Sequence, residues 1–363
     1  MTRSPRPPSD RSSTIGTIEA TSDHDPLVSI VMSVYNGAED LEGSVRSLLR
    51  QTWSDFELIV IDDGSTDETP RILESLAAED DRIRVVQQEN QGLTAALRHG
   101  CKLARGRYIA RQDADDWSHP DRLALQLELL QSNARLGLVS CTTQYVGPEG
   151  EPLCVIRRPT DPREATRRLL DERQGPPAHG SVVFRRDLYE QVAGYRTEFY
   201  FGQDADLWLR MAEQAEIGYC NEVLYFCRIT LSSISSTRRS IQAEFGRLGQ
   251  RCRAARREGG PERPHLDAAR HLADRAKSHA VRGSGSESAA ACYYIGSMLL
   301  DRGDARCRRY LRRSLTFSPR HWRRWIKWLR ASTQRLDTEE TVLRPCSPLP
   351  PAAKHAMARE LLK

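Results

Sequence analysis

The run Leu27-Val-Ser-Ile-Val-Met-Ser-Val-Tyr35 is almost unbroken in its apolar character. That is the pattern of a strand buried on both faces of a parallel sheet. Over residues 38–51 the apolar positions Leu41, Val45, Leu48 and Leu49 recur at helical spacing. A second buried strand is expected over 56–62. The stretch Asp63-Gly-Ser-Thr-Asp67 then turns into a helix with good capping residues. Residues 83–86 and 107–110 read as third and fourth strands, with a helix over 92–104 between them. Strands alternating with helices of this length predict an α/β fold with a mostly parallel sheet flanked by helices.

From about residue 118 the pattern changes. A helix is expected over 120–132. Strands follow over 136–146 and 153–157, joined by the turn Gly147-Pro-Glu-Gly150. A strand over 181–184, a short helix over 204–212 and a strand over 223–229 complete this unit. Residues 237–363 read as all-helical, punctuated by Gly259-Gly-Pro261, Gly283-Ser-Gly285 and Pro319. Residues 294–319 are similar to one tetratricopeptide-like helix pair. Stacked repeats need about three copies, so a single pair reads as an appendage packed on the enzyme or on a partner. The expected division is a disordered Ser/Thr/Pro/Arg-rich leader over 1–25, an α/β domain over 26–235, and a basic helical region over 236–363.

Charge sharpens that division. Residues 1–230 carry a net −11 and residues 231–363 a net +16. A basic segment of this kind suits a membrane surface, nucleic acid or an acidic partner. The acidic front and the absence of a nucleic-acid-binding motif argue against nucleic acid. No run of about 18 apolar residues occurs, so no membrane-spanning helix is expected. The first 25 residues lack the apolar segment of a secretory signal. Nine cysteines, an odd number without a CxxC pair, point to reduced thiols in a cytoplasmic protein.

Residues 321–330 form an amphipathic helix on the helical wheel. Measured from Trp322 at about 100° per residue, Trp325, Ile326, Trp328 and Leu329 gather on one side, and Arg323, Arg324, Lys327 and Arg330 on the other. Two expectations follow. Either the segment docks peripherally on a membrane or in a partner's groove, or its apolar side packs on the helices over 289–315 with the cations facing water.

Three constellations carry chemistry. Arg111-Gln-Asp113-Ala-Asp115-Asp116 ends the fourth strand, where open α/β sheets bind ligands. Three carboxylates in four residues repel one another, and a hard divalent cation, Mn²⁺ or Mg²⁺, offsets that repulsion and bridges to substrate phosphates. Asp62-Asp63 ends the second strand, where a carboxylate can accept a hydrogen bond from a nucleobase. Ser33 and Tyr35 follow the first strand, and Tyr35 can lie against a base ring.

In their order and spacing these residues resemble the family 2 glycosyltransferases of the GT-A fold. The resemblance runs from about residue 26 to 235. It rests on Val28 to Asn36, Gln51 to Asp67, Asn90-Gln-Gly92, Ala104 to Ala110, Asp113 to Asp116 and Pro120-Asp-Arg122. It implies a hexosyltransferase-type enzyme for cell-surface polysaccharide or glycoconjugate synthesis, and the Arg- and Ala-rich composition suggests a GC-rich bacterial source. Such an enzyme would use a UDP- or dTDP-sugar donor and a glycan or lipid-linked acceptor, with inversion. Asp63, Ser33 and Tyr35 would hold the base, and Asp113 and Asp115 would form the metal-binding DXD motif. Asp204, in Gly202-Gln-Asp204-Ala-Asp206, falls where such enzymes place the general base. Helix N-capping is the competing reading for it. Gln203 stands where the family usually has Glu, and Thr230 where many members have His. His179 would contact the donor sugar or the acceptor, with a structural role as the competing reading, and Arg98, where the family often has Asn, faces either the diphosphate or solvent.

Two other classes compete. A nucleotidyltransferase would want a Gly-rich, basic loop after the first strand, whereas Tyr35-Asn-Gly-Ala-Glu-Asp40 is acidic. A catalytically silent scaffold would not need to keep Asp63, Asp113, Asp115 and Asp204 together.

Overall fold

A computed structural model describes residues 25–172, 174, 176–231, 239–279, 285–337 and 342–343. The expected leader, apart from Asp25, lies outside them. So do Arg173 and Gly175, in the stretch 173–178 that contains Gly175, Pro176 and Pro177.

The four parallel strands anticipated from the apolar runs are β1 (Val28–Val34), β2 (Phe56–Asp62), β3 (Ile83–Gln87) and β4 (Tyr108–Asp113). They lie in the order β3-β2-β1-β4. Helices α1 (Leu41–Leu49), α2 (Thr69–Glu79) and α3 (Leu93–Leu103) connect them. The alternation of strand side chains explains the continuous apolar runs. Val28, Ile30, Met32 and Val34 of β1, with Leu58 and Val60 of β2, share one layer with Val45 and Leu48 of α1 and Leu73 of α2. Val31, Ile59 and Ile61 face the opposite layer, with Ala96 and Leu97 of α3.

Strand β4 runs three residues beyond the expected 107–110 because Arg111 and Gln112 are buried despite their polarity. Beyond it come β5 (Trp117–Ser118), α4 (Arg122–Ser132), β6 (Leu136–Val146), β7 (Pro152–Ile156), β8 (Val183–Arg185), α7 (Gln203–Ala212) and β9 (Glu216–Arg228). Two helices, α5 (Pro162–Asp171) and α6 (Arg186–Gln191), do not show in the apolar pattern. The full sheet order is β3-β2-β1-β4-β8-β6-β9-β5, with β7 paired to β6. Strands β4 and β6 each pair antiparallel with β8, and β6 pairs parallel with β9.

The C-terminal region folds into α8 (Arg239–Arg257), α9 (Arg263–His279), α10 (Gly285–Asp301), α11 (Cys307–Phe317) and α12 (Trp322–Thr333). Phe245, Leu248 and Cys252 of α8 pack with Ala269 and Leu272 of α9 around Phe199. Ile295 and Leu299 of α10, with Leu311 of α11 and Ala331 of α12, pack on Leu153 and Ile229 of the α/β part. Glu151, fully buried, accepts a hydrogen bond from the Tyr310 hydroxyl at 2.7 Å and an ion pair from Arg309. None of the eight described cysteines is in a disulfide. Among the described residues no helix is long and apolar enough to cross a membrane.

Helix α12 corrects one expectation. Of its apolar side, only Trp328 packs on the preceding helices. Arg324 and Ala331 are buried instead, while Trp322, Trp325, Ile326 and Leu329 are exposed. The Arg324 guanidinium reaches the Ser314 carbonyl at 3.2 Å and lies near the Tyr293 ring, so a cation takes the inward position.

Candidate functional site

The register of the sheet gathers the candidate residues at one edge. Ser33 of β1 lies beside Asp113 of β4 on one side and Ile61 of β2 on the other. The chain leaves β2 at Asp62, so Asp63 stands at the same edge. A cleft of about 1260 Å³ opens there, and Ser33, Tyr35, Asp63, Asp113, Asp115, His179 and Asp204 all line it. Small-molecule pockets commonly occupy roughly 300–1,000 Å³, so this cleft has room for more than one ligand. Tyr294 of α10 and Gln242 of α8 also line it. The helical region therefore forms part of the wall.

Asp63 fastens the loop that follows β3. Its Oδ1 accepts from Gln88 Nε2 at 2.7 Å and from the Gln91 N–H at 2.9 Å, and its Oδ2 accepts from the Gly92 N–H at 2.8 Å. Each carboxylate oxygen offers about two acceptor sites, so Oδ2 keeps one for a ligand. Gly92 is required here. Its φ is +87°, and a Cβ would approach the Tyr200 ring at 2.9 Å. Tyr35 stands exposed at the rim.

The acidic motif divides its labour. Asp116 is buried and structural: it accepts from the Tyr225 hydroxyl at 2.7 Å and from the Arg228 N–H at 2.6 Å, which pins β9 to the motif. Asp113 takes the buried Arg111 guanidinium on Oδ1 at 2.6 Å. Burial, with Asp113 adding repulsion, pushes the Asp115 carboxyl up to about 7. Asp204 lies in the first turn of α7, whose N-cap is Gly202, so it is not the capping residue. Its carboxyl is raised by burial, and Asp113 adds to the shift. Asp206 turns away and pairs with Arg210 at 2.7 Å and Arg196 at 3.6 Å.

This donor set fits a hard cation. Asp115 and Asp113 offer carboxylate oxygens, and an opposing charge would favour the ionised form of Asp115 that burial opposes. Among the described residues no group of three or more His, Cys, Asp or Glu forms a closed ligand cage. Two carboxylates completed by water and phosphate oxygens is the mode Mg²⁺ commonly adopts.

The sheet-side floor was missed by sequence reasoning. Arg111 donates to the Val31 carbonyl at 2.6 Å and to the His179 ring at 3.4 Å. Arg122 donates to the Arg111 and Gly180 carbonyls at 3.1 and 3.0 Å. Gly180 is needed because a Cβ there would collide with the Tyr225 hydroxyl and lie 2.9 Å from Asp113 Oδ2. A charged residue inside a buried strand, Arg111, was the available signal. His179 also bonds the Tyr195 hydroxyl at 2.7 Å. Burial, then Arg111, holds its pKa well below the ordinary value, so it is neutral. Arg98 is exposed on α3 and is not among the cleft residues. At about 100° per residue it lies only about 40° from the buried Thr94, so it stands exposed at the margin of the inward face of α3, outside the cleft. Arg158, after β7, does line the cleft, and its buried Nε has no hydrogen-bond partner among the described residues. Thr230 lines the cleft as well.

The raised carboxyls give a pH-dependent prediction. A carboxyl raised in the folded state contributes most to stability below its unfolded pKa of about 3.9, and that contribution is lost as pH rises through the folded value. For Asp115 the loss extends to about 7. A cation relieves the ionised form only. Mn²⁺ is therefore expected to raise the melting temperature more at pH 7.5 than at pH 5.5, by differential scanning calorimetry. Equal shifts at both pH values would contradict the placement of the cation at these carboxylates.

The chain is similar to known proteins. A family model described as Glycosyl transferase family 2 matches residues 29–193. The chain is 36% identical to the putative glycosyltransferase EpsE of Bacillus subtilis (strain 168), over 56% of this chain and 73% of that protein. It is 30% identical to a chondroitin synthase of Escherichia coli, over 55% of this chain but only 28% of that protein. Its fold matches that of the mannosyltransferase PcManGT from Pyrobaculum calidifontis, solved in complex with GDP-Man and Mn²⁺. The TM-score is 0.50 at 20% identity, covering 89% of this chain and 90% of that one.

Proposed function

We propose a reaction for this chain from the premise that it belongs to glycosyltransferase family 2 and has the GT-A fold. It transfers a sugar from a UDP- or dTDP-sugar to a glycan or lipid-linked acceptor, with inversion, in the synthesis of cell-surface polysaccharide or glycoconjugate. The observation that carries this reading is the convergence of Asp113, Asp115 and Asp204, from two distant elements, on one cleft large enough for two substrates.

The roles follow from position. Ser33, Tyr35 and the remaining acceptor site of Asp63 hold the base. Asp115, with Asp113, would hold Mn²⁺ or Mg²⁺, which when bound neutralises the donor diphosphate and its leaving charge. Arg111 behind Asp113 fixes that carboxylate's orientation. Asp204 takes the proton of the acceptor hydroxyl as its oxygen bonds to the anomeric carbon and the bond to the diphosphate breaks. A single displacement inverts the anomeric centre. The raised carboxyl of Asp204 makes it a stronger base than an exposed aspartate. Neutral His179 can offer one ring N–H to a sugar hydroxyl. Arg158 supplies a positive charge for the diphosphate or for an anionic acceptor. A lipid-linked acceptor would place the protein in the cytoplasm, peripherally at the inner face of the cytoplasmic membrane, with 321–330 as the contact.

The test is a panel of UDP-, dTDP- and GDP-sugars incubated with Mn²⁺, read as release of nucleoside diphosphate. Release from a UDP- or dTDP-sugar is expected. Pyrophosphate as the product, or release confined to GDP-sugars, would contradict the reading.

A further inference from the structure

We infer that the exposed face of α12 is a docking surface for an anionic lipid bilayer. The inference deepens the peripheral placement just given, but it stands on the surface of α12 and not on the cleft.

The helix turns most of its apolar side outward, with Trp328 and Ala331 packed inward beside a buried Arg324. At about 100° per residue, Trp322, Trp325, Ile326 and Leu329 fall within roughly 100° of arc. They are 63%, 42%, 54% and 52% exposed. Arg324, Lys327, Trp328 and Ala331 fall about opposite, on the side that meets α10 and α11. There Arg324 is buried and Lys327 lies 5.6 Å from the centre of the Tyr293 ring. A helix that only completed a core would bury its tryptophans and expose its arginine. Phe317, at the end of α11, adds a fifth exposed apolar side chain to this end of the molecule.

The chemistry of the surroundings selects a lipid surface. From Ala305 to Leu336 the chain carries eleven Lys and Arg and no Asp or Glu. Arg312, Arg313, Arg320, Arg323 and Arg330 are exposed. The Arg323 guanidinium sits 5.4 Å from the Trp322 ring centre, and that of Arg313 sits 5.8 Å from the Phe317 ring. Apolar rings bordered by cations match an interface where acyl chains lie beneath anionic headgroups. Trp325 Nε1 already donates to the Pro319 carbonyl at 2.7 Å, so its ring can enter the acyl region without carrying an unmet N–H. The orientation serves the cleft. Helix α10 packs on α12 through the Ile295 and Ala331 cluster, and its Tyr294 lines the cleft. The cleft thus lies one helix away from the docked surface.

The full chain would be sedimented at low salt with vesicles of phosphatidylglycerol and phosphatidylcholine in equal parts, and with vesicles of phosphatidylcholine alone. Neither donor, acceptor nor metal is present, so the outcome is independent of the transferase reading, which nucleotide release tests separately. Wild type is expected to pellet with the anionic vesicles and to bind the neutral ones at least tenfold less. Trp322→Ala/Ile326→Ala/Leu329→Ala should lose binding by a similar factor, with an unchanged melting curve because these side chains are more than half exposed and the Trp325 hydrogen bond is kept. Arg320→Gln/Arg323→Gln/Arg330→Gln should bind more weakly and lose more of its affinity as salt rises. Wild type remaining in the supernatant would overturn the inference, as would an apolar triple variant that binds equally well. So would a wild-type dimer that the apolar variant converts to monomer without any vesicle binding, because the face would then belong to a second copy of the chain.

Discussion

Asp204→Asn is expected to leave nucleotide-sugar binding intact and to lower transfer by roughly 10²–10⁴-fold, the usual worth of a positioned general base. The substitution is nearly isosteric. Asp204 does not cap α7, and no ion pair in the described residues depends on it. Folding should therefore be unaffected, which a melting curve checks. Because the Asp204 carboxyl is raised, kcat of the wild type should climb with pH on the acidic side, and that limb should disappear in the variant. A variant within a few-fold of wild type, or a product with retained anomeric configuration, would remove Asp204 from this role. Asp206 is the internal control. It is buried in its pair with Arg210, so Asp206→Asn should cost stability, with far less effect on the rate of the protein that remains folded.

Asp115→Ala is expected to abolish the cation dependence of nucleotide binding. In wild type, calorimetry should show UDP bound more tightly with Mn²⁺ than with EDTA. In the variant the two titrations should coincide. The loss in the presence of Mn²⁺ should reach at least roughly 10–100-fold, which is already the cost of removing an outer partner of a metal ligand. Misfolding does not mimic this result. The Asp115 carboxyl is held up to about 7 by burial and by Asp113, so near neutral pH its removal relieves the cation-free protein. The variant's melting temperature without metal should equal or exceed that of wild type at pH 7.5. An Asp115→Ala protein that still binds UDP more tightly with Mn²⁺ would transfer the cation to other residues.

Much of the sheet was legible because its strands are buried on both faces. The runs at Val28–Val34 and Phe56–Asp62 admit few other readings, and their carboxyl ends mark the cleft before any packing is known. Asp113, Asp115 and Asp204 were readable through the motifs around them, although only the fold brings Asp204 to the first two. Other features depend on tertiary partners. Helix α5 hides because only Ala165 and Leu169 are buried among its charges. The apolar pattern of the first half of β9 is interrupted by Gly218, packed tightly against Val139 and Leu136. Arg98 was open in sequence between the diphosphate and solvent, and it stands exposed at the margin of the buried face of α3, outside the cleft. Arg158 enters the cleft at the end of β7, a placement fixed by the pairing of β7 with β6. For α12 the wheel gave the two faces but not which one turns inward. That choice depends on Tyr293 and the Ser314 carbonyl, which draw Arg324 into the core.

Anomalous scattering from Mn²⁺ in crystals grown with UDP would locate the cation without any assay of transfer. The expected map has one anomalous peak within coordination distance of an Asp115 carboxylate oxygen, in contact with the diphosphate, and the uracil ring beside Asp63 and Tyr35. Ordered UDP in the cleft with no anomalous peak at Asp115, or with the diphosphate turned away from Asp113 and Asp115, would contradict a metal-dependent transferase built on these carboxylates.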